Sequence, residues 1–246
     1  MSDHLIELRD LRIATYERDL VKGVSFDVVS GKVTAVMGPS GSGKTLTARA
    51  VMGFIDVDPG LQEGSLRYPV LGADDWFEPV RQGGLRAQRK LLRRTASLRG
   101  SYLTYSPQAA ASALNPGRTV GRQLEIAVSR RTDAASLTQA DVAKAVQAAL
   151  DEVGLPMSAA NALPGELSGG QCQRAALAIA VAPRPRLVIA DEPETGLDPV
   201  LTRTVIELMV RVCQDHGYGL MLISHHQETV DRIADTVIHL PGQGAR

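Results

Sequence analysis

Apolar positions along this chain come in short runs punctuated by glycine and proline. From residue 5 to residue 29 they alternate with polar ones: Leu5-Ile6-Glu7-Leu8, then Leu11-Arg12-Ile13, then, after a polar turn, Gly23-Val24-Ser25-Phe26-Asp27-Val28-Val29. A period of two predicts antiparallel strands with one buried face. Val33-Thr34-Ala35-Val36-Met37 is a short apolar run with strand character, and Leu46 to Met52 has helix-forming composition. A Gly, Asp and Pro-rich stretch from Gly53 to Gly64 precedes an expected strand at Ser65–Tyr68, and residues 72–100 are less regular. Ser101–Ser106 reads as a strand ending at Pro107-Gln108, and residues 109–165 as helical with breaks. Within them Val142, Ala145, Val146, Ala149 and Leu150 recur at helical spacing over Asp141–Val153, and Gly154 stops that helix. A long helix opens after Glu166-Leu167-Ser168 and runs through Ala182. Buried strands follow at Arg186–Glu192 and Gly219–Ser224, with a helix from about Val200 to Cys213 in between, and a last strand at Thr236–Leu240. No internal repeat is visible.

Strands alternating with helices in 246 residues suit one large α/β domain, or a core with a subdomain. Lysine plus arginine number 27 and aspartate plus glutamate 27, so no global field draws the chain to nucleic acid or anionic lipid. The charge is uneven, however: Arg81 to Gly100 holds seven basic residues and no acid. That segment reads as a solvated helix whose Leu85, Leu91 and Leu92 pack inward, rather than as a nucleic-acid or headgroup patch. Two cysteines, Cys172 and Cys213, are too few for a disulfide framework and suggest a reducing compartment. Met1-Ser2-Asp3-His4 lacks the basic-then-apolar order of a signal peptide. The longest Ala/Val/Ile/Leu run, Ala175–Ala182, is far short of the roughly 20 residues that a membrane span needs.

The chemistry begins at Gly38-Pro39-Ser40-Gly41-Ser42-Gly43-Lys44-Thr45, a G-x-x-x-x-G-K-[ST] phosphate loop set between a strand and a helix. Gly41 and Gly43 let the backbone curl so that several N–H groups face one anion, and the helix N-terminus adds its partial positive charge. Lys44 would reach the β- and γ-phosphates and the Thr45 hydroxyl would ligate Mg²⁺. Tyr16 lies 28 residues before Lys44, in a turn, where an aromatic can stack on a base. The strand ending Asp191-Glu192 carries two adjacent carboxylates to a position where open α/β sheets bind ligands. Acids there call for a cation or a proton to transfer. Asp191 would hold Mg²⁺ through its water shell, and Glu192 would polarise the attacking water. Gln108, at another strand end, can offer an amide oxygen to Mg²⁺ and water. Ser168-Gly169-Gly170 is an N-cap with bare backbone amides, an anion-ready helix start. His225 and His226 end a core strand, where an imidazole can hydrogen-bond a phosphate.

Taken in order, the phosphate loop, Pro107-Gln108, Leu167-Ser168-Gly169-Gly170-Gln171, Leu187 to Pro193, Gly196-Leu197-Asp198 and Ser224-His225 resemble the nucleotide-binding domain of the ATP-binding cassette (ABC) transporter family, over about residues 5 to 241. The five-residue signature at 167–171, lying between a glutamine loop and an Asp-Glu strand, is the specific part. Ser112-Ala113-Leu114-Asn115-Pro116, followed by Thr119-Val120-Gly121 and Gln123, is similar to the dipeptide, oligopeptide and nickel importer branch.

The resemblance implies a P-loop α/β core, a mostly parallel sheet flanked by helices, with an N-terminal antiparallel β subdomain. Residues 1–108 and 183–246 would form the core and about 109–182 a helical signature subdomain. It implies ATP and Mg²⁺ as ligands: Tyr16 on the adenine, Gly38 to Thr45 with Ser40, Gly41, Gly43 and Lys44 on the phosphates, and Thr45, Gln108 and Asp191 around the metal. Glu192 would be the base and His225 the switch histidine. Ser168, Gly169, Gly170 and Gln171 would serve ATP bound to a second subunit, with Asp198 communicating between the sites. The implied partners are permease subunits, a second ATP-binding subunit and, indirectly, a solute-binding protein, at the cytoplasmic face of the membrane. The cargo would be a peptide, nickel or a metal chelate. A soluble ABC-type ATPase acting on nucleic acid or ribosomes is the alternative, with the basic segment as its contact.

Several features depart from the family pattern. Cys172 follows the signature, where it either packs or, near a helix N-terminus, acquires a lowered pKa and reacts. His226 stands where an acid is usual. Gly72–Arg94 is long, and the chain ends soon after its last strand, without the C-terminal extension of many peptide-importer ATPases.

Overall fold

The computed structural model describes residues 3–108, 113–196 and 198–242. They form two compact units, one of residues 1–99 with 219–246, the other of residues 100–218.

The first unit contains two sheets. Alternation in the N-terminal segment yields β1 (His4–Thr15) and β2 (Asp19–Val29), antiparallel, with β4 (Pro59–Arg67) on the other side of β1. Leu5–Leu8 and Leu11–Ile13 are one strand rather than two, interrupted by register shifts around Asp10, whose φ of 47° lies in the left-handed region. A bulge keeps the same face buried across a break in the alternation, which is why Leu8, Leu11 and Ile13 are all fully buried. The strand expected at 65–68 begins six residues earlier, at Pro59. The second sheet is parallel: β3 (Val33–Met37) lies between β7 (Gly219–Ile223) and β8 (Thr236–His239). Every residue of β3 and β7 is buried, as a strand covered on both faces requires. A helix that the apolar pattern does not announce, α7 (Gln227–Ile233), packs Val230 on Ala35 and Met37. Seven residues are too few to display a helical period.

After the phosphate loop comes α1 (Lys44–Val51). The basic segment folds as α2 (Gly84–Arg94) and buries Gln88 and Leu91, whereas Leu85, expected to face inward, is 39% exposed. Arg94 pairs with Asp74 and covers the Trp76 ring, and Arg81 pairs with Asp75. The cations at both edges of this segment are thus engaged within the unit.

In the second unit β5 (Leu103–Ser106) and β6 (Leu187–Asp191) pair in parallel. The helices are α3 (Val120–Val128), α4 (Gln139–Glu152), α5 (Gly169–Val181) and α6 (Pro199–Asp215). Thr138 and Asp141 form a reciprocal cap on α4, and Gly154, at φ 67°, ends its last turn.

Candidate functional site

In the first unit the parallel pairing of β3 with β7 sets Val36 beside Ile223. The phosphate loop and the Ser224-His225 segment therefore leave adjacent strands at the same, carboxyl, end, where open α/β sheets place ligands. The loop is held by its glycines. Gly41 has φ 79° and Gly43 φ 93°, and Gly43 is the residue preceding α1. A side chain at Gly43 would put a Cβ 2.7 Å from both the Leu20 carbonyl and a Val21 methyl. The Lys44 ammonium, on a side chain only 5% exposed, donates to the Gly38 carbonyl at 2.9 Å and the Pro39 carbonyl at 3.2 Å. Thr45 is half-buried in the first turn of α1 and Ser40 is exposed in the loop.

The Ser42 hydroxyl is buried without a hydrogen-bond partner among the described residues, and it borders a cavity of about 290 Å³ with Arg18, Lys22 and Leu20. Tyr16 is 81% exposed, its hydroxyl donating to Asp58 at 3.2 Å, which raises its pKa. Its ring is thus accessible for stacking while one end is tethered. His225 is exposed, whereas Ser224 before it is fully buried and accepts the His226 amide at 3.1 Å. His226 is the residue that precedes α7, a backbone role.

In the second unit β5 and β6 run in register from Leu103 beside Leu187 to Ser106 beside Ala190, so Gln108 and Glu192 again emerge from matching strand ends. The Gln108 amide donates to the Glu192 carboxylate at 3.1 Å and lies 3.4 Å from the Thr195 hydroxyl. Asp191 is 2% exposed. Tyr105 donates its hydroxyl to one Asp191 oxygen at 2.8 Å, and the other oxygen has no partner among the described residues. A buried carboxylate oxygen left in that condition is costly unless a cation or its water meets it, so the donor set fits a hydrated Mg²⁺. Glu192 takes φ 47°, a left-handed conformation that a side chain adopts only under surrounding constraint. The turn is closed by the Thr195 amide donating to the Glu192 carbonyl at 3.1 Å.

Ser168 caps α5, as its sequence predicts, and Gln171 returns the bond: the Gln171 amide donates to the Ser168 hydroxyl and the Gln171 side chain accepts from the Ser168 amide at 2.9 Å. Ser168 and Gly169 are exposed and Gly170 is half-buried at the helix start, which presents backbone N–H groups outward. Asp198 caps α6 by accepting the Leu201 amide at 3.0 Å. Ser112 and Leu197 lie outside the described residues. Cys172 is buried with its thiol 3.2 Å from the Pro164 carbonyl, and burial pushes its pKa up. Burial and the contact with the Pro164 carbonyl accord with the reading in which the residue packs rather than reacts.

The structure thus gathers the loop, Tyr16 and His225 in one unit, and Gln108, Asp191, Glu192, Asp198 and the 168–171 element in the other. Sequence reasoning missed Tyr105. Tyr105 left a signal, since a tyrosine in a buried strand needs a partner for its hydroxyl.

Residues 21–195 match the family described as ABC transporter. The peptidoglycan transport ATP-binding protein YejF of Agrobacterium fabrum is 34% identical over 95% of this chain, which spans 41% of that protein. The oligopeptide transport ATP-binding protein OppD of Bacillus subtilis is 32% identical over 95% of this chain, which spans 62% of it. Among solved structures, CbiO1 of Clostridium perfringens, part of a transporter complex, superposes with a TM-score of 0.75 at 20% identity, covering 97% of this chain and 85% of that one. A dimeric structure of the cassette MJ0796 in a post-hydrolysis state with ADP and Pi gives 0.71 at 22% identity, with 96% and 94% covered. Likeness at those identities establishes the fold, a mixed α/β architecture with a separate antiparallel sheet.

Proposed function

This chain belongs to the ABC transporter family, and we propose that it binds and hydrolyses ATP to energise a membrane importer of peptides, nickel or a metal chelate. Its curated relatives are named as transport ATP-binding proteins, two of them for peptidoglycan and oligopeptides, which favours peptides within that set. Gly38–Thr45 takes the phosphates and Tyr16 the adenine. Thr45, Gln108 and Asp191 are the donors that would hold Mg²⁺, which when bound neutralises charge on the phosphate oxygens. Glu192 accepts the proton of the attacking water, and Gln108, bonded to that carboxylate, keeps it aimed. His225, exposed at the end of β7, hydrogen-bonds the transferring phosphoryl group.

Ser168 and Gly169 serve ATP held by a second copy or a related subunit, so two subunits close around two nucleotides and hydrolysis reopens them. The leverage of ATP equals its differential affinity for the closed pair. Asp198 relays between the two sites.

The observation that carries the transporter reading is a groove that reaches Pro107, the residue before Gln108. A cavity of about 400 Å³ in the second unit is lined by Pro107, Leu114, Ile126, Ala127 and Ile179, with Arg118 and Arg130 also on its wall. Pro107 adjoins Gln108, which bonds Glu192, so an apolar segment of a permease seated there is one residue from the catalytic carboxylate's partner. No helix among the described residues is long and apolar enough to cross a membrane, so attachment at the cytoplasmic face would come through that permease. The test is purification from native membranes. Permease subunits should accompany the chain and be lost with Leu114→Asp or Ile126→Asp, whereas recovery with nucleic acid or ribosomes instead would select the soluble alternative.

A further inference from the structure

The side chain of Gln173 is 4% exposed, and its amide donates to the Pro193 carbonyl at 2.8 Å, in a bond that is itself buried. Pro193 directly follows Glu192, the acid of the strand end whose backbone is in the left-handed region. The Glu192 turn is therefore held from three sides. The Thr195 amide closes it, Gln108 holds the carboxylate, and Gln173 anchors the carbonyl just beyond it. Proline has no N–H, so this carbonyl is the only backbone hydrogen-bonding group that Pro193 offers. A glutamate at φ 47° persists only where its surroundings over-determine it.

Gln173 also lies on α5, five residues after the Ser168 cap. An α-helix rises about 1.5 Å per residue and is stiff over one or two turns. A displacement of the Ser168–Gly169 helix start thus reaches the Pro193 carbonyl through a single buried amide.

We propose that Gln173 is a positioning residue for Glu192, tying the helix start that serves the opposite subunit's ATP to the base that acts on this subunit's own. The inference rests on the reading of Glu192 as the base. A phosphate seated on Ser168 and Gly169 fixes α5, and α5 through Gln173 fixes the turn that aims Glu192. Hydrolysis at one site thereby waits for occupancy at the other.

The test uses the full chain in its transporter complex and compares Gln173→Met, which keeps volume and loses the donor, with Gln173→Asn, which keeps the amide but draws it back by one methylene. Both are expected to lower kcat for ATP by roughly ten- to a hundredfold with KM little changed, as for a base displaced by a fraction of an ångström, and with the modest fall in thermal midpoint that an unpaired buried carbonyl brings. In a Glu192→Gln background the Gln173→Met change is expected to leave the residual rate unaltered, because its effect passes through Glu192. Turnover within about twofold of wild type in both variants would overturn the inference, as would a fall of ATP affinity parallel to the fall in turnover, or an equal further loss in the Glu192→Gln background. Full turnover by Glu192→Gln alone would instead remove the base assignment, so the two failures are distinguishable.

Discussion

Replacing Gly43 by alanine separates two physical costs that the phosphate loop combines. At Gly41 an added Cβ meets nothing within 4 Å, and the only penalty is the left-handed backbone at φ 79°. For alanine that is about 1–2 kcal/mol. At Gly43 the same backbone penalty applies at φ 93°, and the Cβ also falls 2.7 Å from the Leu20 carbonyl and a Val21 methyl. Val21 is 2% exposed and Leu20 is part of a sheet strand, so neither moves freely. Forced overpacking of this kind adds roughly 1–3 kcal/mol. Gly43→Ala should therefore cost about 2–5 kcal/mol against about 1–2 for Gly41→Ala. At this chain length each kcal/mol lowers a thermal midpoint by roughly 2 °C. The expected falls are then about 4–10 °C and about 2–4 °C. Because the strain at Gly43 is relieved by shifting the loop off its phosphate geometry, ATP affinity should drop roughly tenfold further in Gly43→Ala than in Gly41→Ala. Scanning calorimetry and nucleotide titration on both variants measure the difference. Equal midpoints and equal affinities would show that the close approach of β2 does not shape the loop.

Glu192→Gln should retain ATP binding, lose hydrolysis by about 10²–10⁴-fold and accumulate the closed pair of subunits; radiolabelled turnover and size-exclusion with ATP read both, and undiminished hydrolysis would remove the base. Tyr16→Ala should weaken ATP binding severalfold while Tyr16→Phe, which keeps the ring and loses only the Asp58 bond, stays close to wild type in a fluorescent-nucleotide titration. Thiol reagents at mildly alkaline pH should leave the folded chain almost unlabelled, because burial raises the pKa of Cys172 and pushes Cys213 up to about 12; rapid labelling before denaturation would contradict this. The same shift sets a sign for alkaline stability. Cys213 ionises in the unfolded chain near its ordinary value of 9.0, so its contribution is fully present below that pH and disappears as pH rises toward about 12. Denaturation midpoints should fall over that window and fall less in Cys213→Ala.

What the sequence disclosed was mainly backbone chemistry. Glycines at fixed offsets before Lys44 encode left-handed turns, and a serine before two glycines encodes a cap, so the phosphate loop and the start of α5 were legible residue by residue. Continuous apolar runs marked β6 and β7 as buried strands. Side-chain meetings across the fold were not legible. Tyr105 and Asp191 are 86 residues apart, on strands whose register only pairing defines. Leu85 is assigned inward from composition, yet in the first turn of α2 it is 39% exposed, and a polar residue one turn later takes the core position because its amide reaches the Pro59 carbonyl. A period argument ranks Gln88 as surface and has no means of seeing that bond.

The place of β3 in its sheet has a consequence for the order in which the protein is made. The strand that carries the phosphate loop is synthesised well before β7 and β8, which pair with it. At cellular elongation rates the wait between Val33 and its partner Leu220 is on the order of 10–40 s. During that interval the loop has its glycines and its lysine but no sheet on either side of its strand. The glycine loop that follows β3 is therefore without the flanking strands of its sheet until the residues of β7 and β8 have been released to fold.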